Sequence, residues 1–208
     1  MNNRTLYIIV LTCVLYAAAQ IFSDIASLRI LFIAGLSIDA GTLIYPFTFT
    51  LRDVIHKVAG ANVARFMIFT SAGLNVAMAL LFGLVAALPS DEFVGAQTEF
   101  GFVLAPVWRI VIASIVAEVV ANLIDTEAYQ LWVNRFSSRY QWGRVLASNA
   151  LSVPVDSAIF VLIAFAGELP TDVVFSIFIA NVVVKGIISI LAIPVLYTVK
   201  DRHIKPLN

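Results

Sequence analysis

Residues 66–90 read FMIFTSAGLNVAMALLFGLVAALPS, a stretch of 25 positions without a charged side chain. A helix needs about 20 mostly apolar residues to cross the hydrocarbon core of a bilayer, so this stretch predicts a membrane-spanning helix. The rest of the chain has a similar composition: 61% of its 208 residues are hydrophobic, 12% are charged, and the mean hydropathy is +0.97. This composition excludes a soluble domain, which is about a quarter charged. It also excludes a disordered chain, which has low hydrophobicity and a high net charge.

Apolar stretches of comparable length recur along the chain and predict six membrane-spanning helices. The predicted spans are residues 5–23, 38–55, 66–88, 102–124, 145–166 and 172–199. Residues 27–39 are too few to cross a membrane and alternate apolar positions with Arg29, Gly35 and Ser37, which predicts an outer hairpin or lid. The predicted fold class is therefore an all-α integral membrane protein, a bundle of six transmembrane helices in one domain over residues 1–208.

The distribution of basic residues predicts the orientation of this bundle, because cytoplasmic loops carry an excess of lysine and arginine. If the N-terminus is inside, the inner segments hold ten of the thirteen basic residues: Arg4, Arg52, Lys57, Arg65, Arg135, Arg139, Arg144, Lys200, Arg202 and Lys205. The outer segments hold only Arg29. The pattern predicts that both termini are cytoplasmic.

Several classes of function are excluded by what the sequence contains. Thirteen acidic residues balance thirteen basic ones, so there is no overall positive charge to attract nucleic acid. The single cysteine, Cys13, excludes a disulfide framework and a cysteine-based zinc site. No GxxxxGK[ST], HExxH or GxSxG motif occurs. We therefore expect no enzyme, cofactor or metal, and we expect energy from an ion gradient, from trapping of the substrate or from a partner subunit.

Two ionisable residues lie near the middle of predicted spans. Asp156 is eleven residues into the fifth span and Lys185 is thirteen residues into the sixth, which runs in the opposite direction. With about 1.5 Å of rise per residue, both reach roughly the same depth. An ionisable side chain at the centre of a span costs about 2.5–3.5 kcal/mol, so such groups pair. We predict an Asp156–Lys185 pair, which either forms the centre of a substrate site or only fixes helix packing.

Other polar side chains recur at helical spacing, which gives several predicted spans a polar face. These are Ser114, Glu118, Asn122 and Asp125 in the fourth span, Asn149 and Ser152 in the fifth, Asn181 and Ser189 in the sixth, and Asn75 in the third. Together they predict a polar chamber, although a single amide is more often a contact between helices. Glu118 is the strongest candidate for binding a proton or an amine-bearing substrate, whereas Asp125 either shares that role or pairs with inner arginines.

A few candidates have two interpretations each. Arg109 either extends outward to the membrane surface or binds a carbonyl of the substrate. Tyr45 and Phe47 either stack on a flat ring or pack against lipid and core. Arg52 and Asp53 fall at the inner boundary and form a gate or an anchor.

A resemblance to a known family rests on several ordered pieces of sequence. Residues 46–60 read PFTFTLRDVIHKVAG and are followed by Ala64 and Arg65. Further pieces are RIVIAS at 109–114 with Asp125, SN at 148–149, DSAIF at 156–160, and VK at 184–185 with Pro194. In these pieces the chain resembles the queuosine precursor transporter family over most of its length. It departs from that family at residues 57–60, which read KVAG where many members have Glu-Val-Tyr-Gly.

The resemblance implies a multi-pass importer in the cell inner membrane for 7-cyano- and 7-aminomethyl-7-deazaguanine, the precursors of queuosine. It implies a deazapurine base as the small-molecule partner and the lipid bilayer as the environment. The alternative is a transporter, or a substrate-binding subunit of an energy-coupling-factor importer with an ATPase partner, for a water-soluble vitamin or another nucleobase. A membrane enzyme or scaffold is the third interpretation. The sequence leaves open whether the protein forms a homodimer.

Overall fold

The computed structural model describes residues 3–91, 93–136 and 141–198. These residues are mostly helical, with one small sheet near the N-terminal end. In chain order the elements are α1 Asn3–Ala26, β1 Ile30–Ile33, β2 Leu36–Asp39, a 3₁₀ turn Ala40–Leu43, α2 Pro46–Ala59, α3 Ala61–Ala87, α4 Thr98–Leu104, α5 Val107–Phe136, α6 Gln141–Phe165 and α7 Thr171–Thr198.

Four helical segments in the described ranges are long and apolar enough to cross a membrane. They are Thr5–Ala26, Asn62–Ala87, Thr98–Ala121 and Thr171–Leu191. A shorter apolar segment, Asn149–Phe165, lies within the predicted fifth span. Large apolar side chains cover the outside of these helices, among them Phe69 and Leu80, which are 72% and 69% exposed. A surface this apolar is stable in lipid rather than in water, so the fold is that of a membrane protein.

The region predicted as the second span, 38–55, is not one continuous helix. Its first residues end β2 and form the 3₁₀ turn, and α2 is a helix of only 14 residues that starts at Pro46. Proline is favoured at the first position of a helix, where its missing N–H would have had no helical partner. The prediction of a helix from residue 38 is therefore wrong, and α2 ends before Gly60, whose φ of 86° requires glycine.

The hairpin predicted at residues 27–39 is confirmed. β1 and β2 pair antiparallel, with Ile30 opposite Asp39 and Ile33 opposite Leu36. Ala34 and Gly35 connect them with φ angles of 52° and 84°, the left-handed conformation that tight hairpin turns use. The Ser37 backbone N–H donates to Ser176 Oγ at 2.8 Å, which attaches the hairpin to α7.

Three apolar clusters are found among the described residues, and two of them each join three helices. The first joins α5, α6 and α7 through Ile110, Ala113, Ala117, Phe160, Val161, Ala164, Phe165 and Ile177. Small residues such as the two alanines on α5 let helices approach closely in a membrane. The second joins α1, α2 and α3 through Tyr16, Ile55, Ala64 and Met67. Buried polar side chains come from α1, the 3₁₀ turn, α2, α3, α5, α6 and α7.

Candidate functional site

The centre of the candidate site is an ion pair between α6 and α7. Lys185 Nζ donates to Asp156 Oδ2 at 2.5 Å, and the two side chains are only 4% and 3% exposed. The contact predicted from their depths in the sequence is confirmed. Their role in substrate binding stays a prediction.

A cavity opens next to this pair. Its lining comes from α1, the 3₁₀ turn and its flank, α5, α6 and α7: Ser23, Ser27, Asp39, Gly41, Thr42, Tyr45, Ser114, Ala117, Asp156, Phe160, Asn181 and Lys185. Pockets for small molecules combine apolar walls with a few placed polar groups. This cavity has a lining of that kind.

Two aromatic rings form part of the cavity wall beside the cation. Lys185 Nζ lies 4.8 Å from the centre of the Tyr45 ring and 5.8 Å from the centre of the Phe160 ring. Both distances fall within the range of a cation–π interaction. Tyr45 is held from behind by Phe49, whose ring meets it edge-on at 5.3 Å. The rings therefore fix the ammonium group of Lys185 and give the cavity two flat walls.

Two buried polar atoms of the lining residues have no hydrogen-bond partner within the described ranges. They are Asp156 Oδ1, an acceptor, and Asn181 Nδ2, a donor. Both residues are at most 2% exposed. A buried polar group without a partner costs about 1–3 kcal/mol, so such groups are rare in native proteins. Here a donor and an acceptor border one cavity, where a bound molecule would reach them.

Asp39 holds the 3₁₀ turn that forms one side of the cavity. Its carboxylate accepts from Thr42 N at 3.1 Å, from Thr42 Oγ1 at 2.5 Å and from Ser27 Oγ at 2.8 Å. Thr42 Oγ1 also contacts Asn181 on α7. These bonds join α1, the turn and α7, so Asp39 acts as the cap of the turn rather than as an open ligand group.

A second polar network lies beside the cavity between α1, α3 and α5. Asp24 Oδ2 accepts from Asn75 Nδ2 at 2.6 Å, and Asp24 Oδ1 accepts from Ser114 Oγ at 2.8 Å. Nearby, Tyr16 donates its hydroxyl to Glu118 at 2.8 Å and accepts from Gln20 at 3.0 Å. Ser114 belongs to both the network and the cavity lining.

The predicted site residues fall into three groups. Asp156, Lys185, Asn181 and Tyr45 meet at the cavity. Glu118 and Asn75 lie in the adjoining network, outside the lining. Those away from the cavity, or outside the described side chains, are Arg109, Phe47, Asn149, Arg52, Asp53, Asn122 and Asp125.

Arg109 contacts the end of α6 and is not among the residues that line the cavity, so its binding of a substrate carbonyl stays a prediction. Its guanidinium donates to the carbonyls of Ile163 and Ala166 at 2.8 and 2.6 Å and pairs with Glu168 at 2.5 Å. These are carbonyls at the C-terminal end of α6, which have no helical partners. The structure therefore places Arg109 as a cap that holds α5 to the end of α6.

The remaining candidates are not brought to the cavity. Phe47 is 57% exposed, and Asn149 is half-buried outside the lining. Arg52 and Asp53 lie 3.7 Å apart as neighbouring charges on α2. The side chains of Asn122 and Asp125 lie outside the described residues, so their predicted roles stay predictions.

Sequence reasoning missed the polar face that α1 presents to the site. Tyr16, Gln20, Ser23, Asp24 and Ser27 all lie on this face and are at most 3% exposed. Their spacing, at i, i+4, i+7, i+8 and i+11, is the periodicity that had revealed the other polar faces. Asp24 and Ser27 follow the predicted first span, residues 5–23, so the pattern extends beyond the segment in which a polar face was sought.

A family comparison identifies the kind of protein in which this site lies. A family model described as "Putative vitamin uptake transporter" matches residues 39–199, which is most of the chain. The chain belongs to this family. The match includes the 3₁₀ turn and the parts of α5, α6 and α7 that line the cavity. For a member of a transporter family, a small-molecule substrate and a membrane environment are the expected setting of such a cavity.

A named relative supports this membership. The "Probable queuosine precursor transporter" of Bacillus subtilis (strain 168) is 26% identical over 189 residues, an alignment that covers 88% of this chain and 80% of the relative. No solved structure matches the chain. The family model and the Bacillus subtilis relative both confirm the family resemblance inferred from the sequence pieces.

Proposed function

We propose that this protein imports a queuosine precursor, 7-cyano- or 7-aminomethyl-7-deazaguanine, across the cell inner membrane. The base binds in the cavity beside Asp156 and Lys185. The observation that carries the proposal is the pair of buried atoms without partners, Asp156 Oδ1 and Asn181 Nδ2, at one small cavity with aromatic walls.

The chemistry of a deazaguanine fits these two atoms. A guanine-like edge places N–H donors next to a carbonyl acceptor. Asp156 Oδ1 accepts from the N–H groups of that edge, and Asn181 Nδ2 donates to its carbonyl. Because Lys185 already donates to Asp156 Oδ2, the second oxygen of the carboxylate remains to accept from the base. The flat base lies against the rings of Tyr45 and Phe160.

The substrate class also has support from the relative. The Bacillus subtilis protein is named for queuosine precursors, and the alignment with it extends over 88% of this chain.

The proposed topology has six spans with both termini in the cytoplasm. Four described segments have the length and composition of spans. We take α6, whose apolar segment begins at Asn149, as the fifth span in chain order, and the 3₁₀ turn with the short helix α2 as the second. Non-helical backbone at membrane depth is stable where it lines a cavity, as this turn does.

A water-soluble vitamin is the second candidate substrate, and the description of the family favours it. Such a transporter works alone or as the substrate-binding subunit of an importer with an ATPase partner. Both candidates use the same cavity, so substrate competition separates them.

Counterflow in proteoliposomes tests the proposed function. Vesicles that contain the purified protein are loaded with unlabelled 7-cyano-7-deazaguanine, and entry of the labelled base is measured without any partner subunit. We expect entry that excess 7-aminomethyl-7-deazaguanine inhibits and that biotin and riboflavin do not. Inhibition by a vitamin alone, or no entry of any deazaguanine, would overturn the assignment.

A further inference from the structure

Asp24 is a carboxyl group buried in the bundle without a counter-charge. It is 1% exposed, and no ion pair joins it to a basic side chain within the described ranges. Its hydrogen bonds come from two neutral groups, Asn75 Nδ2 and Ser114 Oγ. An ionised carboxylate in such a place is costly, and in practice the group takes up a proton or finds a cation.

Two further carboxylates are fully buried in the part of the chain that the structure describes, and both are compensated in ways that Asp24 is not. Asp156 is paired with Lys185. Asp39 caps the 3₁₀ turn and accepts three hydrogen bonds, and one of these bonds comes from a backbone N–H. Asp24 has neither a cation nor a backbone donor among its described contacts.

We propose that Asp24, held between Asn75 and Ser114, is a proton-binding site that couples transport to the proton gradient. An ionisable side chain inside a membrane bundle marks an ion or proton pathway by default. The proposed function identifies the substrate, whereas this site identifies the coupling ion as a proton.

The Asn75 side chain suits both protonation states of Asp24. Its Nδ2 donates to Asp24 Oδ2, while its Oδ1 is buried without a partner in the described structure. When Asp24 takes up a proton, rotation of the amide by half a turn brings Oδ1 to face the new O–H and accept from it. The backbone does not have to move when the amide rotates.

A proton fits this site better than a metal cation does. Both oxygens of Asp24 are already in direct hydrogen-bond contact, at 2.6 and 2.8 Å, with Asn75 and Ser114. A metal ion would have to separate these groups to reach the carboxylate. No cluster of three or more metal-binding side chains is found among the described residues.

Ser114 connects the proton site to the substrate cavity. Its hydroxyl donates to Asp24 Oδ1, and the same residue lines the cavity. A molecule that takes the Ser114 hydroxyl as its own partner removes one of the two bonds that stabilise ionised Asp24. Proton binding and substrate binding are then linked, and the linkage acts equally in both directions.

Other charged and titratable groups surround Asp24 at longer range. Glu118 on α5 acts on it directly, and Arg52 on α2 and Asp156 on α6 act on Glu118. Tyr45, which precedes α2, interacts with both carboxyl groups, and the Tyr16 hydroxyl is bonded to Glu118. Protonation of Asp24 relieves the repulsion between its negative charge and that of Glu118.

The first test needs no substrate. Infrared difference spectra of the ligand-free protein in lipid are recorded during a pH titration, and the carbonyl stretch of a protonated carboxyl group is followed. We expect a band that Asp24→Asn removes, that Glu118→Gln retains, and that Asp24→Glu retains at a shifted frequency. A band that persists in Asp24→Asn, or that disappears in Glu118→Gln, would overturn the assignment to Asp24.

The second test rests on the proposed function and measures accumulation of labelled 7-cyano-7-deazaguanine in proteoliposomes. We expect an inside-alkaline pH gradient to drive accumulation by wild type and by Asp172→Asn, whose carboxyl is exposed. Asp24→Asn exchanges the base but does not accumulate it. Accumulation driven by a sodium gradient instead, or by the pH gradient in Asp24→Asn, would refute proton coupling. If wild type exchanges no deazaguanine, the substrate assignment fails while the infrared test still decides on Asp24.

Discussion

Lys185 on α7 and Asp156 on α6 form a buried ion pair whose second carboxylate oxygen has no partner among the described residues. Lys185 Nζ reaches Asp156 Oδ2 at 2.5 Å, and Asp156 is one of the residues that line the cavity. The lysine therefore uses one oxygen of the carboxylate and leaves the other able to accept hydrogen bonds. Oδ2 thus stabilises the bundle through Lys185, and Oδ1 is the oxygen that we propose binds the substrate.

Removal of one charge of this pair should separate binding from folding. Asp156→Asn keeps an oxygen that accepts from Lys185, so we expect normal membrane expression and loss of uptake. Lys185→Met leaves the carboxylate buried without a cation, which costs about 3–5 kcal/mol. The double variant should regain most of the thermal stability but no uptake. Unfolding temperatures in detergent, together with uptake assays, test this, and normal uptake by Asp156→Asn would remove Asp156 from the site.

Asn181 should contribute to binding through its amide N–H. Asn181→Ala removes a donor that would meet the base, a loss of about 1–3 kcal/mol. We expect binding of the base to weaken roughly 5- to 150-fold, since 1.4 kcal/mol is a factor of ten. Asn149→Ala serves as the matched control because Asn149 lies outside the cavity lining. Equal dissociation constants for the two alanine variants would contradict this role for Asn181.

The close approach of the 3₁₀ turn to α1 should make Gly41 sensitive to any side chain. A Cβ atom at Gly41 would lie 2.0 Å from Ser27 Oγ and 2.5 Å from the backbone oxygen of Ser23. The second contact is with backbone, so Gly41→Ala must push the turn away from the helix and distort the cavity. We expect lower thermal stability and loss of binding.

Gly73→Ala on α3 is the control for this variant, because a Cβ there meets nothing within 4 Å. Alanine is also about 1 kcal/mol better than glycine inside a helix, so Gly73→Ala should be neutral or stabilising. A Gly41→Ala protein that melts and binds like Gly73→Ala would show that the turn and α1 are not tightly packed.

Arg109 should affect stability without affecting binding. Arg109→Gln removes the charged donor to two carbonyls at the end of α6. Hydrogen bonds to charged groups contribute about 1.5–3 kcal/mol, and each kcal/mol lowers the unfolding temperature by about 2–4 °C in a protein of this size. We expect a lower unfolding temperature and an unchanged dissociation constant for the base. A large loss of affinity with unchanged stability would instead place Arg109 at the substrate.

The parts of the site that could be predicted are those where burial makes a charge conspicuous. Asp156 and Lys185 stand out in long apolar runs, and a constant helical rise relates their depths. Asn181 follows from its position one helical turn before Lys185. These predictions succeed because the environment was apolar and the elements regular.

The missed parts depend on chain segments that are not regular. The sequence from residue 36 to residue 59 is a strand, a turn and a short helix, although its hydrophobicity resembles that of one span. Asp39 caps a turn whose existence the helix prediction had excluded. Asp24 and Arg109 could not be placed, because their partners, Asn75 on α3 and the end of α6, are distant in sequence.

Direct binding to the detergent-purified protein tests the central claim most directly. Binding of 7-cyano- and 7-aminomethyl-7-deazaguanine is measured against guanine, biotin and riboflavin, with wild type, Asp156→Asn and Asn181→Ala in parallel. The account predicts that a deazaguanine binds wild type and that both variants bind it at least about fivefold more weakly, the equivalent of about 1 kcal/mol. Binding of a vitamin in place of the deazaguanines, or unchanged affinity in both variants, would contradict it.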